Sequence, residues 1–212
     1  MTSLAARERA ALCDLFADVG PDAPTLCEGW TTADLAAHLW VRENQPLATA
    51  AAIVPAFGGV ADERRSAVLH RLGYRGVVAA LREGPAGVTP YRIPGVDSLA
   101  NTAEFFIHHE DVRRAGEHPQ GPRPMPMEDQ DRLWPQVRLL GRLALRHSPV
   151  GVVVERPDGE SLRLRPGTRT VTLLGQPGEL LLALSGRGDA ADVTVLGEDD
   201  AVAEFLAMPL SL

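Results

Sequence analysis

The stretch Thr25-Leu26-Cys27-Glu28-Gly29-Trp30-Thr31-Thr32-Ala33-Asp34-Leu35-Ala36-Ala37-His38 holds the clearest helix start in the chain. Its first half is turn-rich. Thr31 then offers an N-cap hydroxyl, and Asp34, three residues on, brings a carboxylate to the positive end of the helix. Leu35, Ala36, Leu39 and Trp40 make an apolar face, and His38 lies on that side. An imidazole buried there must find a polar partner, because an unpaired polar group costs free energy away from water.

Working outward, apolar residues recur at helical spacing on both sides of this segment. Upstream, Leu4, Ala5, Leu12, Leu15 and Phe16 predict a helix from Thr2 or Ser3 to about Ala17, ended by Gly20-Pro21. Downstream, residues 55–59 read as a loop. Residues 62–81 read as a third helix, with Val68, Leu69, Leu72, Val77, Val78 and Leu81 inward and Gly73 and Gly76 weakening its middle. A fourth helix is expected over 98–115, capped by Asp97 or Ser98 and closed by Gly116. A fifth, over 128–146, is interrupted near Pro135.

After His147 the period changes. Residues 150–155 form a β-branched run, and Pro157-Asp158-Gly159 is a turn signal. Leu162 and Leu164 alternate with Arg163 and Arg165, a solvated face. Strands are expected over 170–174 and 191–196, with short helices over 177–184 and 199–206. Helices first and mixed elements afterwards predict an α+β protein: a helical bundle over 1–147 and a small α/β domain over 148–212.

The fourth helix carries Glu104 and His108 four residues apart, with Cβ atoms about 5–6 Å from each other on one face. On its own that pair could be a surface hydrogen bond. With His38 facing it from the second helix, two imidazoles and a carboxylate suit Zn²⁺, Fe²⁺ or Ni²⁺. Asn101 and Asp111, three residues either side of the pair, share its face and could orient a ligand or simply be solvated. His109 points about 100° away and is expected to be at the surface or in support. His70, His118 and His147 have no assigned role. Trp30 is expected to pack at the helix start.

The bulk properties narrow the function classes. A net charge of −7 and a pI near 5.4 disfavour nucleic-acid binding. All 21 basic residues are arginine, which excludes a Schiff-base or P-loop lysine and points to a GC-rich genome. Cys13 and Cys27 lack metal or redox spacing and read as unlinked thiols. No signal peptide and no membrane span is expected, so the chain is placed in the cytoplasm. There is no G-x-S-x-G elbow and no G-x-G-x-x-G loop.

The stretch from Thr25 to His38 resembles the second-helix motif of the DinB/YfiT-like superfamily, and more narrowly that of its mycothiol-dependent maleylpyruvate isomerase branch. Glu104-Phe105-Phe106-Ile107-His108, followed by Asp111, resembles the branch's second metal motif. Gly175-Gln176-Pro177-Gly178-Glu179-Leu180-Leu181-Leu182-Ala183-Leu184-Ser185-Gly186-Arg187 is similar to its C-terminal module. The resemblance implies a DinB-like four-helix bundle whose His38, Glu104 and His108 hold a divalent metal, zinc first, with nickel or iron as alternatives.

It also implies mycothiol as co-substrate, used for transfer to, or isomerisation of, a small electrophile, with Arg187 as a contact for a substrate carboxylate. An actinobacterial host agrees with the arginine-only composition. The residues leave two other functions open: a non-catalytic metal-binding sensor or interaction module, and a metal-dependent hydrolase. Small molecules are the expected partners, for a monomer or homodimer.

Overall fold

Ser3 and Thr31 start the first two helices, as their hydroxyls suggest. In this computed structural model, which describes residues 2–45, 58–86, 89, 91 and 95–210, the Ser3 hydroxyl accepts from the Ala6 N–H at 3.2 Å and opens α1, Leu4–Val19. Gly20, at φ 82°, closes that helix and donates its N–H to the Phe16 carbonyl. Thr31 and Asp34 form a reciprocal capping box at the start of α2, Thr32–Asn44.

Helix α3 spans Gly58–Glu83 but is broken at Gly73, whose φ of 64° and ψ of 164° are not helical. Gly58 and Gly59 thus already belong to a helix, and residues 55–57 of the expected loop lie outside the described residues. Helix α4, Val96–Arg113, begins two residues early, after Gly95 at φ 91°, so neither Asp97 nor Ser98 is its cap.

Helix α1 packs on α3 and α4, and α2 packs on α3. Leu12, Phe16, Leu35, Leu39, Val77, Leu81 and Phe105 meet in one buried cluster. Leu72 was expected inward but is 38% exposed. It sits just before Gly73, where the helical phase that would carry it into the core is interrupted.

The chain divides into two compact units, Met1–Gln120 and Gly121–Leu212. The second opens with α5, Met127–Ala144, which runs through Pro135. The sequence placed this helix with the first domain. It packs instead on α6, Pro177–Leu182, and on β2, Ser161–Arg165. Two side-chain hydrogen bonds tie it there: Trp134 Nε1 donates to Glu160 Oε1 at 2.7 Å, and Gln130 Oε1 accepts from the Gly178 N–H at 2.9 Å. Helical periodicity cannot say on which body a helix lies.

The remaining strands are β1, Gly151–Glu155, β3, Thr170–Leu174, and β4, Thr194–Leu196. They form a mixed sheet ordered β2-β1-β3-β4, in which only the β1–β3 pair is parallel. Helix α7, Asp199–Leu206, follows. The architecture is α+β. Among the described residues no helix is long and apolar enough to cross a membrane.

Candidate metal centre

The capping box fixes where α2 begins, and so fixes the phase that turns His38 toward α4. There His38 Nε2 lies 3.3 Å from Glu104 Oε1. His108 Nε2, one turn along α4, lies 3.3 Å from the same oxygen. The donor atoms of all three side chains lie within 4.8 Å of one another. For metal–ligand bonds near 2.1 Å in tetrahedral geometry, neighbouring donors stand about 3.4 Å apart. The two imidazole-to-carboxylate distances match that spacing. The His38 and Glu104 side chains each keep 25% of their surface exposed, so one side of the cluster faces solvent.

Each member is held from behind. Asp111 is fully buried, and its Oδ2 lies 2.8 Å from His108 Nδ1. A proton kept at Nδ1 would leave the Nε2 lone pair for an ion once the Nε2 proton is displaced. Cys27 Sγ donates to the same Asp111 oxygen at 3.2 Å. Cys27, His108 and Asp111 also lie close enough to hold an ion, but a neutral imidazole has one lone pair, so His108 can serve one cluster only. Arg42 Nε reaches Glu104 Oε1 at 3.3 Å.

Arg42 also donates to Asn101 Oδ1, and Asn101 Nδ2 donates to Glu43 Oε1 at 2.7 Å. Glu43 is paired in two-pronged fashion with Arg9 at 2.5 and 2.6 Å. Three helices thus fix the carboxylate that two imidazoles share. The Trp30 ring packs 5.1 Å from the His38 ring, tilted at 53°.

These contacts set the charges. Burial pushes the His38 imidazole toward its neutral form, below the usual histidine range, and its bond to Glu104 offsets this only in part. Burial also raises Glu104, but hydrogen bonds from His108 and His38 and the Arg42 charge outweigh it and hold the carboxyl well below the usual range. For His108, burial opposes the charge, while Asp111, Cys27 and Glu104 together hold the imidazole well above its usual value. The cluster contains a carboxyl held toward its ionised form and two rings driven in opposite directions.

The other singled-out residues fall as follows. His109, expected at the surface or in support, is buried, and its Nδ1 lies 2.9 Å from Glu8 Oε2 of α1. Asn101 supports Arg42 and Glu43, not a cluster member. Asp111 supports His108. Arg187 belongs to the C-terminal unit, where its Nη1 donates to the Ser185 carbonyl. Cys13 is buried and Cys27 half-buried, and neither forms a disulfide. Arg9, which helical spacing places with Glu8 on the polar side of the first helix, is buried with it; Arg42, Glu43 and the Cys27 contact carry no signal in the sequence, because their partners lie on other helices.

A helical unit with a His/Glu/His cluster, joined to a small mixed-sheet unit, defines the class. Among solved structures, the chain is similar to a crystal structure of the mycothiol-dependent maleylpyruvate isomerase. The identity is 18%, with 92% of this chain and 95% of that chain covered and a TM-score of 0.57. A histidine-to-alanine mutant of that isomerase matches at 18% identity with the same coverage and a TM-score of 0.54. At this identity the likeness is one of fold. No family model matches the chain. No curated protein matches it in sequence.

Proposed function

We propose that this chain is a metal-dependent enzyme that activates a low-molecular-weight thiol, mycothiol, for transfer to or isomerisation of a small electrophile. In this reading the four helices of the first unit form a DinB-type bundle, and His38, Glu104 and His108 hold one divalent ion, zinc first. The observation that carries it is the approach of two imidazole nitrogens to one carboxylate oxygen, each at 3.3 Å. A divalent ion bound there would lower the pKa of a coordinating thiol and so supply a thiolate at neutral pH.

The chain's own residues do the rest. Asp111 keeps the His108 proton at Nδ1. Arg42 holds Glu104 in place and, with His108 and His38, favours its ionised form. Trp30 walls one side of His38, and the exposed edge of the cluster admits the thiol. A closed sensor site would want a fourth protein donor; among the described residues the His38 group counts three, which favours an enzyme. A small cytoplasmic thiol as co-substrate places the protein in that compartment.

The test is elemental analysis of purified protein, then cobalt substitution and titration with mycothiol. About one ion per chain and a sulfur-to-cobalt charge-transfer band on adding thiol are expected. A chain that takes up no ion, or a cobalt spectrum indifferent to thiol, overturns the proposal.

A further inference from the structure

His108 has a carboxylate on each side of its ring. Nε2 faces Glu104, and Nδ1 faces Asp111. A third donor stands on the Nδ1 side: Cys27 Sγ lies 3.2 Å from Asp111 Oδ2 and 3.9 Å from His108 Nδ1. Asp111 Oδ2 and His108 Nδ1 are 2.8 Å apart. A tetrahedral ion held by one sulfur, one nitrogen and one oxygen needs donor separations of about 3.3–3.6 Å. The three observed values straddle that range.

Main-chain bonds hold the Cys27 segment against α4. The Leu26 N–H donates to the Asp111 carbonyl at 3.0 Å. The Cys27 N–H donates to the Thr25 hydroxyl at 3.2 Å, and that hydroxyl donates to the Trp30 carbonyl at 3.0 Å. Asp111 is fully buried and Cys27 half-buried. The group is therefore closed behind the carboxylate and open at the sulfur.

We propose that Cys27, Asp111 and His108 Nδ1 form a second cation seat, selective for a thiophilic divalent ion such as cadmium, and that filling it empties the seat of His38, Glu104 and His108. Donor softness sets the selectivity. A thiolate prefers soft ions, whereas two imidazoles and a carboxylate suit zinc, iron or nickel. Filling the new seat also breaks the bonds by which the Cys27 thiol and His108 Nδ1 meet Asp111. Only a strong ion–sulfur bond offsets that loss, so harder ions stay with His38 and Glu104.

Exclusion follows from the shared ring, because a neutral imidazole has one lone pair. With an ion on Nδ1, Cys27 has given its thiol proton to solvent, and the ring's remaining proton sits on Nε2, 3.3 Å from Glu104 Oε1. That N–H occupies the place where the first ion needs a lone pair. The exclusion rests on the metal-dependent function proposed above; the seat itself does not.

The test is titration of the full chain with cadmium chloride, without added thiol, followed by the ultraviolet thiolate-to-cadmium charge-transfer band. Wild type is expected to give the band and to saturate at about one ion per chain. Cys13→Ala and His38→Gln should keep the band. Cys27→Ser should lose it and bind cadmium about ten-fold or more weakly. In zinc-loaded protein, cadmium should release zinc to a chromophoric indicator in step with the band, and Cys27→Ser should need about ten-fold more cadmium to do so.

If Cys27→Ser fails to fold, the Cys13→Ala arm decides: the chain has two cysteines, so a band kept without Cys13 belongs to Cys27. No band in wild type, a band lost in Cys13→Ala, or one unchanged in Cys27→Ser overturns the seat. Zinc retained in full while the band saturates overturns the exclusion. A band in a chain that takes up no zinc upholds the seat while the thiol-transfer reading fails. A zinc-loaded chain without the band sinks the seat alone.

Discussion

Asp111 Oδ2 stands 2.8 Å from Nδ1 of His108, three residues earlier on the same helix, and is fully buried. The pair puts a carboxylate behind the imidazole on the side away from Glu104. Asp111→Asn keeps the shape and removes the charge that fixes the ring's proton. Metal affinity is expected to fall by about 10- to 100-fold. Competition with a chromophoric chelator measures it. Affinity unchanged within two-fold would show that Asp111 serves packing and not the centre.

How much of this was legible beforehand depends on the distance each relationship spans. Glu104 and His108 are one helical turn apart, so spacing alone pairs them. His38 was visible as an imidazole among Leu35 and Leu39. The supporting contacts are different: Arg9 with Glu43, Arg42 with Asn101 and Cys27 with Asp111 join positions 34, 59 and 84 residues apart. No periodicity encodes such pairs; they follow from which helices become neighbours. His109 shows the same limit, since the Glu8 that buries it comes from α1. The helix over Met127–Ala144 was legible as a helix but not as part of the C-terminal unit.

Gly73 sets helix propensity against backbone geometry. In an unbroken helix, glycine to alanine stabilises by about 1 kcal/mol. At φ 64° and ψ 164°, a region only glycine occupies readily, a Cβ is strained although nothing lies within 4 Å of it. Gly73→Ala is therefore expected to destabilise the chain by about 1–3 kcal/mol, read by urea unfolding. A gain in stability would mean that the helix runs straight through this position.

Cys13 makes the fold sensitive to alkaline pH. Burial lifts its thiol from 9.0 to about 11, against the lowering effect of Arg82 and Arg9. Because the folded value lies above the ordinary one, the folded chain binds the extra proton between these two pH values. The stabilisation is whole below pH 9 and is lost as pH rises through 11, amounting to about 2–3 kcal/mol. Cys13→Ala lacks this dependence, whatever its cavity costs at neutral pH. The difference in unfolding free energy between wild type and Cys13→Ala should shift by that amount from pH 8.5 to 11.5. A flat difference refutes the assignment.

His108 and His109 are adjacent, alike in chemistry and both buried, yet the fold gives them opposite tasks. His108 Nε2 faces Glu104 across one helical turn, and His109 Nδ1 faces Glu8 across the helix pair at 2.9 Å. His108→Gln removes a ligand nitrogen from a three-donor set, so bound metal is expected to fall below a tenth of the wild-type amount after dialysis. His109→Gln removes the imidazole that meets Glu8 in the interior, which costs about 1–3 kcal/mol of stability, while bound metal stays at the wild-type amount. Elemental analysis and urea unfolding of the two variants, done together, separate the tasks. Metal lost from the His109 variant and kept by the His108 variant would mean that the ion is held on the other face of α4, and the thiol chemistry proposed for His38, Glu104 and His108 would have to be abandoned.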